Sequence, residues 1–251
     1  MKIIFNADDY GYSRGVNLGI IEACENGPVR SATMMANTPG FAHGAGLLAH
    51  APHLRIGVHL VLTYGIALGG GYKTITDADG NFFTKNEVES RAMAGEIDLN
   101  EVEREYALQI KKILDAGIRP THFDGHHHTH ILSGIADVTY SFARKYSLPV
   151  RMCNQPNPPD IKAIAFADTF FGDNATVSHL DFALANLSAD TEFMCHPAYI
   201  DSYLHAKSSY CLGRMGELAT LTNPAVMTLI DKYGHVLANY ADIQEGQNGL
   251  E

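Results

Sequence analysis

Short apolar runs alternate with amphipathic segments along most of this sequence. Apolar runs bounded by Gly, Pro, Asn or Asp residues predict β-strands. The seven predicted strands span residues 2–7, 30–36, 54–62, 120–124, 149–153, 166–171 and 191–195.

Apolar residues at helical spacing fill most of the intervals between these strands. They predict helices over about residues 13–26, 42–50, 133–146 and 177–186, and two more from residues 213 and 224. Thr84 with Glu87, and Asn100 with Glu103, predict two capping boxes that each start a further helix. Residues 64–83 are glycine-rich and lack periodicity. A loop of this length in a compact domain usually serves a function.

Strand and helix alternate about seven times, without a linker or an internal repeat, which predicts an α/β protein with a mostly parallel sheet. Four strand ends carry polar residues of the kinds that bind metals: residues 8–9, residue 59, residues 124–126 and residue 196. A closed barrel brings all four to one face, whereas an open sheet gathers only those near a switch point. We therefore expect one TIM-like (β/α) barrel domain over residues 1–251, with a polar, loose tail from about residue 242.

Composition narrows the class of partner. The chain has 251 residues and a formal net charge of −10, with a pI near 5.7. An acidic protein of this kind is not expected to bind nucleic acid or an anionic membrane. The four cysteines are scattered without a C-x-x-C pair, which predicts free thiols in a reducing compartment. We find no signal-peptide pattern or membrane span, so the expected location is the cytoplasm.

Residues 121–130, with the sequence THFDGHHHTH, concentrate five of the thirteen histidines. Gly125 marks the predicted end of a strand, so the following histidines lie at the edge where α/β folds carry their chemistry. Imidazole is the commonest metal ligand in proteins. A solvated histidine-rich loop is the alternative interpretation.

Other strand ends can complete a metal site. Such a site needs about three ligands from rigid elements and an open position for water. One carboxylate from residues 8–9 and two imidazoles satisfy this need, and the second carboxylate is then free to act as a base. Taken singly, Asp8 or Asp9 can cap a helix, His59 can be a core histidine, His196 can be a structural hydrogen-bond donor, and Arg151 can be a surface charge.

Four segments in order, at residues 6–11, 57–63, 121–130 and 194–197, resemble the signature blocks of the YdjC-like carbohydrate deacetylase family, which includes chitooligosaccharide deacetylases. The resemblance implies a distorted (β/α) barrel related to polysaccharide deacetylases. It also implies one divalent metal ion, Mg²⁺ or Zn²⁺. By position, the implied ligands are Asp9, His59 and His126.

The same resemblance implies the roles of three further residues. Asp8 is the expected base, His196 the expected general acid, and Arg151 the residue that orients the base.

The ligand set retains one alternative. His126 and His130 are four residues apart, and on a helix they could chelate one ion together. The YdjC-like pattern favours His59 with His126, which leaves His128 and His130, together with Tyr10 and Tyr64, as expected substrate contacts. Imidazole ligation favours zinc over magnesium on grounds of softness.

The expected function is hydrolysis of N-acetyl groups on amino sugars or short chitooligosaccharides, which gives acetate and a free amine. The alternatives are a barrel-type metallophosphatase and a non-catalytic metal- or sugar-binding protein. A small carbohydrate is the expected partner, and the loop-rich barrel allows for a homodimer. The sequence assigns no role to Tyr203, His205 or Arg214.

Overall fold

A parallel β-sheet forms the centre of the molecule. The computed structural model describes residues 1–153 and 156–245. Within those ranges the sheet has seven strands in the order β4-β3-β2-β1-β6-β5, with β7 beside β1, and every pairing is parallel. The strands are β1 (Lys2–Tyr10), β2 (Val29–Met34), β3 (Arg55–Leu60), β4 (Phe123–Gly125), β5 (Ala165–Ala167), β6 (Thr191–Cys195) and β7 (Val236–Leu237). The sheet curls into a distorted half-barrel, as the sequence predicts.

Ten α-helices accompany the sheet in the described ranges. They are α1 (Arg14–Glu25), α2 (Phe41–Leu47), α3 (Lys85–Ala94), α4 (Leu99–Asp115), α5 (Ile135–Tyr146), α6 (Val177–Ala185), α7 (Ser202–Lys207), α8 (Leu212–Leu221), α9 (Pro224–Lys232) and α10 (Tyr240–Glu245). Short 3₁₀ segments lie at Leu48–His50, His126–Ile131 and Gly172–Asn174.

The helix caps follow the predicted chemistry with one exception. Ser13 accepts a hydrogen bond from the backbone of α1, and Thr84 forms the predicted capping box with Glu87. The box predicted at Asn100 is wrong. Helix α4 begins two residues earlier because Asp98 is the N-cap and its carboxylate accepts from Asn100 N.

The strand predicted at residues 149–153 is wrong in extent. Only Val150 forms a β-bridge, to Phe123, and Arg151 N donates to Phe123 O at 2.9 Å. Pro149 cannot donate a backbone hydrogen bond, and prolines 156, 158 and 159 follow shortly. This short pairing still extends the sheet beyond β4.

Residues 240–245 form a helix, although the sequence predicts that a loose tail begins at about residue 242. Helix α10 occupies part of the expected loose tail, and residues 246–251 lie outside the described ranges. Tyr240 of α10 is fully buried, and its ring stacks on that of His122 at 3.7 Å between centroids. His122 in turn packs so closely on Gly57 that a β-carbon there would meet its ring at 2.4 Å. Aromatic rings therefore fill this part of the barrel interior.

All four cysteines are unpaired and buried, as expected. Among the described residues, no helix combines the length and the apolar character that crossing a membrane requires. The single-domain organisation stays a prediction.

Candidate metal centre and active-site cleft

A cleft with a volume of about 590 Å³ opens at the carboxyl ends of the strands. Asp8 and Asp9 both line it, although adjacent residues of a regular strand point to opposite faces. The register of β1 against β2 shifts between Ala7 and Tyr10, and Asp9 adopts a left-handed conformation with φ of 70°. Aspartate tolerates this region better than most residues, and bulges often lie next to active sites. This irregularity allows one strand end to supply two carboxylates.

The three expected ligands come together from separate strand ends. Asp9 Oδ1 lies 3.3 Å from His59 Nε2 and 2.9 Å from His126 Nδ1. The three ligand atoms all lie within 4.8 Å of one another, and the side chains are buried.

This donor set fits a divalent cation. Asp9 Oδ1 is buried and, despite the two short contacts, accepts no hydrogen bond from any residue in the described ranges. A carboxylate with two imidazoles matches the three-ligand sites in which further positions stay open to water and substrate. The cluster therefore has the atoms and the geometry to hold one metal ion.

The surrounding charges favour a cation as well. Within the described part of the chain, the four buried carboxylates of Asp8, Asp9, Asp124 and Glu192 contact two guanidinium groups, one on Arg151 and one on Arg214. Among these groups carboxylates thus outnumber guanidinium groups, and a bound divalent ion would offset the excess negative charge.

Asp124 contacts the ring nitrogen of His59, an expected ligand, that faces away from Asp9. Asp124 Oδ1 lies 2.8 Å from His59 Nδ1, and Thr33 Oγ1 donates to the other carboxylate oxygen at 2.9 Å. Such carboxylate–histidine pairs fix the orientation of a metal-binding ring. Burial alone would lower the pKa of His59, but the Asp124 and Asp9 carboxylates raise it to about 10.

Arg151 fixes the expected base. Its Nη1 and Nη2 atoms donate to the two oxygens of Asp8 at 2.7 and 2.6 Å. Arg151 is fully buried. Burial raises the pKa of Asp8, but the Arg151 guanidinium outweighs it and holds that pKa well below the usual range. Asp8 is therefore an oriented carboxylate at neutral pH.

Arg151 is itself held by two further carboxylates. Its Nη1 lies 3.0 Å from Asp124 Oδ2, and its Nε donates to Glu192 Oε1 at 2.8 Å. The other oxygen of Glu192 accepts from the Tyr240 hydroxyl. Burial raises the pKa of Glu192.

His196 follows β6, and its ring also faces the carboxylate of Asp8. Its Nε2 lies 4.0 Å from Asp8 Oδ2, and its Nδ1 lies 3.8 Å from Glu217 Oε1. The His196 backbone N–H also donates to Glu217. The ring meets Phe171 edge-on at 5.7 Å between centroids.

The histidine run does not form one regular helix. His127 and His128 have left-handed backbones, with φ of 55° and 58°, and this breaks the i, i+4 relation between His126 and His130. His130 is fully buried, and its Nε2 lies 3.4 Å from Arg151 O. The structure therefore does not bring His130 to the ligand cluster.

The expected substrate contacts divide into two groups. Tyr64 and His128 line the cleft. Burial lowers the pKa of His128 to about 4. Tyr10 and His130 are fully buried and are not among the residues that line it, so their expected contact with substrate gains no support from the structure. Tyr10 lies beyond the bulge, and its hydroxyl donates to Gly44 O at 2.7 Å, away from the ligands.

Sequence reasoning missed three charged residues that the site uses. Arg214 donates to Asp9 Oδ2 at 2.6 Å, Glu217 contacts His196, and Glu192 contacts Arg151. A signal was present, because Arg214 and Glu217 share the helical spacing of the buried Leu218 and Leu221. Glu192 similarly lies within a fully buried strand. Charged residues at positions that the helix or strand periodicity places in the core indicate a buried polar network.

Comparison with known sequences gives one consistent family. The family model described as YdjC-like protein matches residues 2–232. A carbohydrate deacetylase of Geobacillus stearothermophilus is 39% identical over 243 residues, which cover 95% of this chain and 96% of the relative. A chitooligosaccharide deacetylase of Yersinia enterocolitica is 38% identical over 256 residues, with 96% and 98% of the two chains covered.

Solved structures agree on the fold. The crystal structure of an Enterococcus faecalis V583 protein, whose description names cellobiose-phosphate cleavage, has a TM-score of 0.88 and 30% identity, and the match covers 96% of this chain and 98% of that one. A family 4 carbohydrate esterase from Streptomyces lividans, solved with acetate, has a TM-score of 0.51 at 12% identity, with 93% and 90% covered. The second likeness concerns the fold alone. On the family match over residues 2–232 and the curated relatives, this chain belongs to the YdjC-like family.

Proposed function

We propose that this protein is a metal-dependent hydrolase that removes N-acetyl groups from amino sugars or short chitooligosaccharides and releases acetate and a free amine. One observation carries the proposal. The ionised carboxylate of Asp8 lies beside a three-ligand cluster on one side and 4.0 Å from His196 on the other. The names of the curated relatives support the choice of a carbohydrate amide as substrate.

Asp9, His59 and His126 are the residues that would hold one divalent ion, Zn²⁺ or Mg²⁺. Such an ion, when bound, polarises an acyl carbonyl and acidifies a water molecule. The two imidazoles favour zinc.

Asp8 is the proposed base. It accepts a proton from the attacking water while the new C–O bond forms at the acyl carbon. The two hydrogen bonds from Arg151 fix the direction of its carboxylate. Preorganisation of this kind avoids the cost of orienting the base during the reaction.

His196 is the proposed acid. As the C–N bond breaks, its Nε2–H donates a proton to the departing nitrogen. Amines are poor leaving groups, so a positioned acid typically contributes about 10²–10⁴-fold to such a reaction. Glu217 lies behind the opposite nitrogen of the ring.

Tyr64 and His128 are the proposed carbohydrate contacts from the expected set, since both line the cleft. Phe171 joins them on the acid side. It is 44% exposed and offers an apolar surface next to His196.

The contacts of Arg151 disfavour the phosphatase alternative. Asp8, His59 and Asp124 form a second group with the spacing of a metal site. Arg151 already contacts both of its carboxylates, so a fixed positive charge competes with a second metal ion for the same two groups. Two-metal phosphatases need that second ion.

Acetate release from N,N′-diacetylchitobiose tests the proposal. The purified protein is assayed before chelation, after chelation, and after addition of zinc or magnesium. Release that is lost on chelation and restored by metal supports the function. Absence of release, with one metal ion bound per chain, rejects this substrate. Absence of both release and bound metal rejects the ligand assignment.

The remaining expectations concern context. A homodimer and a cytoplasmic location stay predictions, and the molar mass in solution tests the first of them.

A further inference from the structure

Helix α8 carries two buried charged side chains three residues apart, and both contact residues of the proposed site. Arg214 is 4% exposed and Glu217 is fully buried. They lie on one face of the helix, because residues three apart are neighbours on a helix surface. Neither belongs to the ligand cluster, and neither is proposed to exchange a proton with the substrate.

Arg214 restricts how Asp9 can bind a metal ion. Its Nη2 donates to Asp9 Oδ2 at 2.6 Å, and its Nε donates to Tyr210 O at 2.9 Å. The second contact fixes the guanidinium plane. Asp9 therefore has one oxygen engaged by Arg214, while Oδ1 alone faces His59 and His126.

Such an anchor helps to hold Asp9 in its left-handed backbone, which carries a cost even for the better-tolerated aspartate. A non-glycine residue with positive φ persists only where the surroundings impose it, and Asp9 has φ of 70°. The Arg214 contact is a charge-assisted hydrogen bond, which belongs to the stronger class. It joins the bulge of β1 to a helix that follows it by about two hundred residues in the chain.

Glu217 holds the acid side of the cleft. One oxygen accepts from the His196 backbone. The other accepts from the Tyr210 hydroxyl at 2.6 Å and lies 3.8 Å from His196 Nδ1. Tyr210 stacks on Phe171 at 4.0 Å between centroids. Glu217 thus sets both the backbone of His196 and the aromatic wall against its ring.

We propose that α8 is the positioning element of the site. Arg214 keeps Asp9 as a ligand through one oxygen, and Glu217 keeps the His196 ring directed at Asp8. The second half rests on the proposed function, since it concerns the acid of that reaction. The first half concerns metal binding alone and is measured without turnover.

Arg214→Ala and Arg214→Lys test the first half of the proposal, that Arg214 keeps Asp9 as a metal ligand through one oxygen; we call it the metal half. Zinc binding to the apoprotein is measured by calorimetry, with thermal unfolding of each apoprotein as a check on folding. Loss of a residue that orients a ligand typically costs about 10–100-fold in metal affinity, and we expect this loss for Arg214→Ala. Lysine keeps the charge but cannot make both hydrogen bonds in one plane, so Arg214→Lys should fall between Arg214→Ala and the wild type.

Met215→Ala is the matched control on the same helix, because Met215 is 47% exposed and does not line the cleft. Its zinc affinity should equal that of the wild type. Wild-type zinc affinity in a folded Arg214→Ala or Arg214→Lys protein would overturn the metal half. If Arg214→Ala does not fold, the zinc affinity of Arg214→Lys decides the metal half.

Glu217→Gln tests the second half of the proposal, that Glu217 directs the His196 ring at Asp8. We call it the acid half and test it with two substrates. Diacetylchitobiose has an amine leaving group that needs a proton, whereas 4-nitrophenyl acetate releases a stable anion that does not. We expect kcat for the sugar to fall by about 10–100-fold, part of the contribution of a general acid. The ester rate and the zinc affinity should stay within about twofold of the wild type, a margin that corresponds to about 0.4 kcal/mol.

Equal losses on the two substrates, or no loss on the sugar, would overturn the acid half. Wild-type protein that binds zinc but releases no acetate from the sugar would contradict the proposed function instead. In that case the Arg214 measurement still decides the metal half.

Discussion

Two regions of this protein bury carboxylates, and they use them in opposite ways. The first region is the contact between α4 and the loop over residues 64–83. There, Glu101 and Glu105 of α4 accept hydrogen bonds mainly from backbone N–H groups of loop residues 68, 69, 73 and 74. In the cleft, buried carboxylates instead face guanidinium and imidazole groups. Carboxylates that bind backbone amides fix the shape of a loop. Where carboxylates outnumber the neighbouring cations, the excess negative charge is available to bind a cation and to accept a proton.

The largest effect should come from removal of the base charge in the cleft. Asp8→Asn keeps the size of the side chain but cannot accept the proton, so kcat for deacetylation should fall by about 10²–10⁴-fold. Zinc affinity should stay within a few-fold, because Asp9, His59 and His126 are unchanged. Acetate release and zinc calorimetry measure the two effects. Asp115→Asn, at an exposed position, serves as the control, and full activity of Asp8→Asn would refute the assignment.

The next effect concerns stability. Arg151→Met removes the cation shared by Asp8, Asp124 and Glu192, and loss of one partner from a buried ion pair costs about 3–5 kcal/mol in the free energy of unfolding. Urea unfolding of the apoprotein measures it. Arg144→Met is the matched control, because its pair with Asp160 is exposed and should change stability little. Equal losses in the free energy of unfolding for the two variants would show that the cleft network does not stabilise the fold.

The loop should respond less strongly. Glu101 accepts from Lys73 N, Thr74 N and the Thr74 hydroxyl at 2.7–3.0 Å. Glu101→Gln places an amide donor against these donors, which should cost about 1–3 kcal/mol in unfolding free energy. Glu103→Gln, at an exposed position of the same helix, should cost almost nothing. A similar loss in both variants would mean that the loop contacts contribute little.

The smallest effect is a dependence on pH. Burial raises the pKa of Glu101, but hydrogen bonds from Thr74 and Lys73 outweigh it and lower the pKa from 4.5. Since the folded-state pKa lies below the unfolded one, this stabilisation is present above about pH 4.5 and is lost as the pH falls further. The stability difference between the wild type and Glu101→Gln should shrink over that acidic range. Urea unfolding at several pH values measures it, and a difference that grows toward low pH would contradict the assignment.

The sequence predicts the ligand cluster better than the residues that support it. Asp8, Asp9, His59 and His196 are predicted because parallel strands all place their carboxyl ends at one face, so strand order alone brings them together. Arg214 and Glu217 reach the site from a helix whose direction depends on packing against α1, and no local pattern encodes that direction. The burial of Tyr10 is not predictable in the same way, because strand β1 continues past its predicted end at residue 7 through the irregular backbone of Asp9.

Tyr240 has a consequence for the order of events during synthesis. Its hydroxyl donates to Glu192, which holds Arg151, which holds Asp8. Strand β7, just before it, pairs with the first residues of β1. A ribosome makes Asp8 long before Tyr240, so the proposed base acquires this support only after more than two hundred further residues have been added. A nascent chain that stops short of α10 can form the Arg151 contacts of Asp8 but lacks the hydrogen bond that Tyr240 donates to Glu192 behind them.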